Sequence, residues 1–132
     1  MRSKSTGALK NITTFCMVVG LLMPRSVQAQ ELYYLTCYCP ESCPGKITYS
    51  GTAVREGIAA VNPEHIGDAA KLWTTEGEYL GVWECQDKLG TGHRGVIDIW
   101  KPDLASAKDM MALTKGKVYI EWIERPERRQ RN

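Results

Sequence analysis

Apolar and polar residues alternate along much of the chain, and only one stretch carries the three-to-four spacing of an amphipathic helix. Leu32–Cys39, Ile58–Val61, Lys71–Thr74, Tyr79–Glu84, Val96–Trp100 and Lys117–Ile123 are short runs rich in β-branched and aromatic residues. Gly, Asn or Pro separates them, so each predicts a strand. Leu104–Leu113 predicts the one helix, with Asp103 as its N-cap and Gly116 just past its end. Leu104, Ala107, Met111 and Ala112 form its expected core-facing stripe. Many short strands with one helix predict a mainly β fold, a small closed barrel of six strands.

The pattern differs at the start of the chain. Arg2, Lys4 and Lys10 precede an apolar run from Ile12 to Met23, and the segment ends Ser26-Val27-Gln28-Ala29. A positive start, a short apolar run and a small-x-small ending predict a signal peptide over residues 1–29, cleaved after Ala29. The run is shorter than the roughly 20 residues that cross a bilayer as a helix, so no stable membrane insertion is expected after cleavage. The barrel domain is then expected over 30–123 and a charged, frayed tail over 124–132. The expected location is outside the cell, as a secreted protein.

Removing the leader changes the charge. The whole chain has 17 basic and 15 acidic residues, a net of +2. Four of the basic residues and none of the acidic ones lie in the leader, which leaves 13 against 15, a net of −2. Arg125, Arg128, Arg129 and Arg131 crowd into the tail, so the domain is more acidic still. The basic face that nucleic-acid binding requires is missing, and nucleic acid is excluded as a partner. At 132 residues, 43% of them hydrophobic, a single ordered domain and a monomer are expected.

Cys37, Cys39, Cys43 and Cys85 remain after the leader, an even number in a small exported chain. They read as two disulfides, with pairing undetermined, against the alternatives of a thiolate zinc site or free thiols. The C-x-C-x3-C spacing lacks paired C-x2-C knuckles, so no metal is expected. Gly90 to Gly95 spells G-x-G-x-x-G but runs into a strand where a dinucleotide site needs a helix, and no cofactor is expected. His65 and His93 belong to no ligand-spaced set.

In Val96-Ile97-Asp98-Ile99-Trp100, Ile97 and Ile99 face one way and Asp98 with Trp100 the other. Trp83, Cys85 and Asp87 are expected on one side of the strand before it. An acid beside an indole suits a sugar ring, which stacks on the aromatic while its hydroxyls reach polar groups. A surface carboxylate beside a half-buried Trp is the plainer alternative.

The span from about Leu35 to Ile123 resembles the three-aspartate (3D) domain family, double-psi β-barrels that include the A-type murein lytic transglycosylases and small secreted cell-wall proteins. The residues that carry the resemblance are Thr36-Cys37-Tyr38-Cys39-Pro40 with Cys43, then Ser50-Gly51-Thr52, then Ile58-Ala59-Ala60-Val61-Asn62-Pro63. Asn62 stands where the family has its first aspartate. Asp87 and Asp98 match the second and third, eleven positions apart, and Ile99-Trp100 supplies the apolar-aromatic pair that follows. The Gly90–Gly95 loop departs from the family pattern.

The resemblance implies a peptidoglycan-directed glycosidase or lytic transglycosylase that cleaves β-1,4 glycan bonds, with Asp98 as catalytic acid/base and Asp87 in support. Asn62, Trp83, Trp100 and Gly90 would then contact peptidoglycan glycan strands. Two other readings stand beside it: a non-catalytic cell-wall-binding barrel with a degenerate site, and a disulfide-rich secreted effector that binds a protein.

Overall fold

The computed structural model describes residues 30–90 and 92–131, so the expected signal peptide lies outside the described residues. Six strands follow one another as β1 (Glu31–Tyr38), β2 (Ile58–Val61), β3 (Ala69–Thr74), β4 (Tyr79–Lys88), β5 (Val96–Trp100) and β6 (Lys117–Ile123). Helix α1 (Leu104–Thr114) joins β5 to β6, and a short helix, α2 (Pro126–Arg129), follows β6. The strands close into a barrel in the order β1-β5-β2-β4-β3-β6. The β1/β5 and β2/β4 pairs are parallel and the others antiparallel. Parallel pairs cannot be joined by tight hairpins, so the chain must cross the barrel ends between β1 and β5 and between β2 and β4. Those crossings supply the long 39–57 excursion and the turn after Val61.

Alternation decides what fills the barrel. Leu35, Ala59, Val61, Ala70, Leu72, Trp83, Cys85, Ile97, Ile99, Val118 and Ile120 form one interior cluster. In β3 and β5 every second residue is buried, the period expected of strands with one face inward. The interior is narrow enough that Ala59 and Ala70 are fully buried beside it.

Helix α1 begins where expected: the Asp103 carboxylate accepts the Ser106 amide at 2.7 Å. It ends on Lys115 in the left-handed conformation (φ 55°), followed by Gly116 at φ 74°. Its expected stripe is corrected. Only Ala107 and Thr114 are buried, and Met110 packs on the core. Leu104 and Met111 are 47% and 36% exposed, because the helix touches the barrel along one narrow line. No described helix is long and apolar enough to cross a membrane.

No two of Cys37, Cys39, Cys43 and Cys85, the expected disulfide candidates, stand at bonding distance in the structure. The topology explains the most distant pair. Cys37 on β1 and Cys85 on β4 stand three strands apart in either direction around the barrel. Adjacent strands lie about 4.8 Å apart, far too great a separation over three steps for a bond that needs Cα atoms within about 7 Å. Cys39 lies just past β1, in a turn where the Cys43 amide donates to its carbonyl at 2.9 Å and the Ser42 hydroxyl donates to the same oxygen. Cys37 and Cys39 therefore do not share a strand face.

The segment after β6 is anchored rather than frayed. Asp68 is buried at 2% exposure, and its carboxylate accepts the Arg125 amide at 2.9 Å. It also pairs with the Arg128 guanidinium at 3.1 Å and with His65 Nδ1 at 3.2 Å. The His65 ring lies flat on Trp122, with centroids 3.7 Å apart. Arg125 and Arg128 also donate to the carbonyl oxygens of Ile66 and Glu64.

Candidate functional site

Four neighbouring strands place a row of side chains on the outer face of the barrel. Thr36 pairs with Asp98, Asp98 with Ala60, and Ala60 with Asp87. Residues in register share a face, so the two aspartates flank one alanine whose methyl leaves space between them. Simple alternation would have put Asp87 inside with Trp83 and Cys85. A β-bulge prevents this: Ala59 faces Cys85 but Ala60 faces Asp87, which makes Gln86 an extra residue. The bulge turns Asp87 outward to the side of Asp98. Trp83 stays in the interior cluster, 5% exposed, and offers no ring face to a ligand.

The 39–57 excursion folds over this row, and Asp87 holds it there. One carboxylate oxygen accepts the Tyr49 amide at 3.0 Å and the Lys88 amide at 2.9 Å. The other accepts the Tyr38 hydroxyl at 3.4 Å and pairs with Lys46 Nζ at 3.1 Å. A side chain 3% exposed with four donors around it is a structural anchor. The same contacts push the Tyr38 phenol well above its ordinary pKa, first through burial and then through the charges of Asp87 and Asp98.

Asp98 is different. It is half-buried, and its Oδ1 is shielded from solvent without a hydrogen-bond partner among the described residues. Burial raises its pKa from the ordinary value; the Thr36 hydroxyl and the Lys46 ammonium pull it down, and the Asp87 charge raises it. Trp100 follows on the same face, beside Tyr38 in the strand register, with its own indole nitrogen unpartnered. A partly shielded carboxyl group with a raised pKa, held near a fixed anion and an ammonium group, has the chemistry of a proton donor and acceptor.

An open cleft of about 360 Å³ lies where β2 and β4 end, lined by Asn62, Pro63, Glu64, Lys88, Leu89, Gly90, Gly92 and Arg94. Asn62 and Gly90 thus line the same cleft. Neither Asp87 nor Asp98 lines the cleft. Asp87 adjoins it through the next residue, Lys88, whose Nζ lies 5.4 Å from the centre of the exposed Tyr49 ring.

Sequence reasoning missed Tyr38, Lys46, Tyr49, Lys88 and Arg94. Tyr38 was within reach, because the alternation that puts Leu35 inside puts Thr36 and Tyr38 outside with Asp98. Lys46 and Tyr49 lie in a loop whose return to Asp87 has no periodic signal. No group of three or more His, Cys, Asp and Glu placed to hold a metal occurs among the described residues. Compared with protein-family models and with curated proteins, the chain matches none.

Proposed function

We propose that the protein is an exported double-psi barrel of the three-aspartate kind that cleaves peptidoglycan glycan strands as a lytic transglycosylase or related glycosidase. Asp98 is its single acid/base. The observation that carries this reading is the state of Asp98: a half-shielded carboxyl with a raised pKa, on the barrel's outer face beside Trp100 and the Asp87–Lys46 pair.

In its protonated form Asp98 gives its proton to the leaving glycosidic oxygen as the C1–O bond breaks through an oxocarbenium-like state. The 6-hydroxyl of the same sugar then bonds to C1, and its proton passes to the Asp98 carboxylate, which restores the acid. No second carboxylate is needed to activate water. Asp87 serves as a positioning residue, since its oxygens are engaged by the excursion that carries Lys46 and Tyr49.

One observation favours a second reading. Asp87 is saturated with partners and Asn62 carries no charge, so Asp98 is the only carboxyl of the expected three left to react. A wall-binding barrel without turnover fits that reduced set. The test is incubation with purified peptidoglycan and mass spectrometry of the soluble products. Anhydro-muropeptides from the wild type, abolished in Asp98→Asn, support the enzyme. Retention on the wall without such products selects the binding barrel. On the enzyme reading, the rate falls as pH rises through the raised pKa of Asp98, because the acid is then ionised.

A further inference from the structure

The cleft at the ends of β2 and β4 has a charge character that acid/base chemistry at Asp98 does not use. Lys88 and Arg94 both line it. Neither side chain belongs to an ion pair among the described residues, whereas Lys46, Arg55, Lys101 and Arg128 do. Glu64 is the one acid in the lining, and its carboxylate lies 3.8 Å from His65 Nε2. The cleft therefore holds two cations against one anion. Asn62 adds an amide that can donate and accept, and Gly90 and Gly92 leave the backbone open to close approach. The exposed Tyr49 ring beneath Lys88 gives an apolar surface at the rim.

We propose that this cleft is a subsite for a carboxylate-bearing substituent of the glycan, the acid group of a lactyl or peptide side chain, recognised by Lys88 and Arg94 with Asn62. The proposal rests on the glycan reading above and names what distinguishes the substrate from a neutral amino-sugar polymer. Arg94 presents a planar fork suited to two carboxylate oxygens, and Lys88 adds a point charge. The sugar backbone would run from the cleft past the Asp87 anchor toward Asp98, while the acidic substituent is held at the strand ends.

The test uses a soluble disaccharide-tetrapeptide, the same compound after its carboxylates are converted to amides, and a neutral chitin tetrasaccharide. Each is titrated calorimetrically into the full chain at low salt, and peptidoglycan turnover is measured on the same preparation. The expected result is about tenfold tighter binding of the acid than of its amide, the size of one or two charge-assisted hydrogen bonds. Lys88→Gln and Arg94→Gln should each narrow that gap, and the double variant should close it. Equal affinity for acid and amide, or a gap that survives the double variant, overturns the subsite. Turnover with equal affinities sinks the subsite and leaves Asp98 standing; a charge-dependent gap without turnover keeps the subsite and removes the enzyme.

Discussion

At the scale of single residues, Asp98 trades stability for reactivity. A carboxyl whose pKa is raised in the folded protein holds its proton more tightly there than in the unfolded chain. Its favourable contribution is complete below the ordinary value of 3.8 and is lost as pH rises through the raised value. Asp98→Asn keeps the shape and removes the charge, so it should raise the melting temperature at pH 7, with the gain fading near pH 3. A melting series across that range checks it; an equal effect at both pH values would mean the charge is not what burial penalises. The cysteines give a second residue-scale expectation. Burial pushes the Cys37 thiol up to about 11 and the Cys85 thiol up to about 12. Because the thiolate is the reacting form, both should resist iodoacetamide at pH 8 in the folded protein and react after unfolding. Peptide mapping reads this directly, and reduction should not change their reactivity, because no bridge engages them.

Among the elements, the strands were largely legible and the helix face was not. Ile58–Val61, Val96–Trp100 and Lys117–Ile123 form with the expected bounds, because Gly or Pro marks at least one end of each and apolar residues fill their inward positions. β4 runs four residues beyond Glu84, since its far end is polar and is held by pairing with β2 rather than by its own pattern. The bulge at Gln86 was invisible for the same reason, yet it decides where Asp87 points. The candidate site was therefore half legible: the shared face of Asp98 and Trp100 follows from alternation, while only the structure brings Asn62 and Gly90 to one cleft. Trp83 is internal, and the Lys46–Tyr49 loop could be placed only by tertiary contact. The helix illustrates the limit of periodicity, because a helix that touches its barrel along one line needs few apolar positions, and its leucines face water. Such a helix depends on its ends. Removing the cap with Asp103→Ala should lower the melting temperature by a few degrees, about the effect of losing one N-cap. Circular dichroism melting reads the loss, and Asp103→Asn, which keeps an acceptor, should restore most of it.

For the whole molecule, one buried carboxylate ties the end of the chain to the barrel. Asp68 ends the turn that leads into β3, and its charge is balanced by groups from the other end of the chain, the Arg125 amide and the Arg128 guanidinium. β3 and β6 are already paired along their length, so the Arg125–Arg128 segment is not needed to define the register. Its contribution is to neutralise a charge that cannot otherwise remain buried. Removing only the cation therefore costs more than the ion pair itself contributes, because an unpaired carboxylate is left out of water. Arg128→Ala should destabilise the protein by about 2–3 kcal/mol, where an exposed arginine elsewhere in the tail, Arg131→Ala, should cost less than about 0.5 kcal/mol. Combining Arg128→Ala with Asp68→Asn should recover part of the loss, since the second change removes the stranded charge. Urea unfolding of the four variants closes the cycle, and strictly additive losses would mean that Asp68 is not balanced by Arg128.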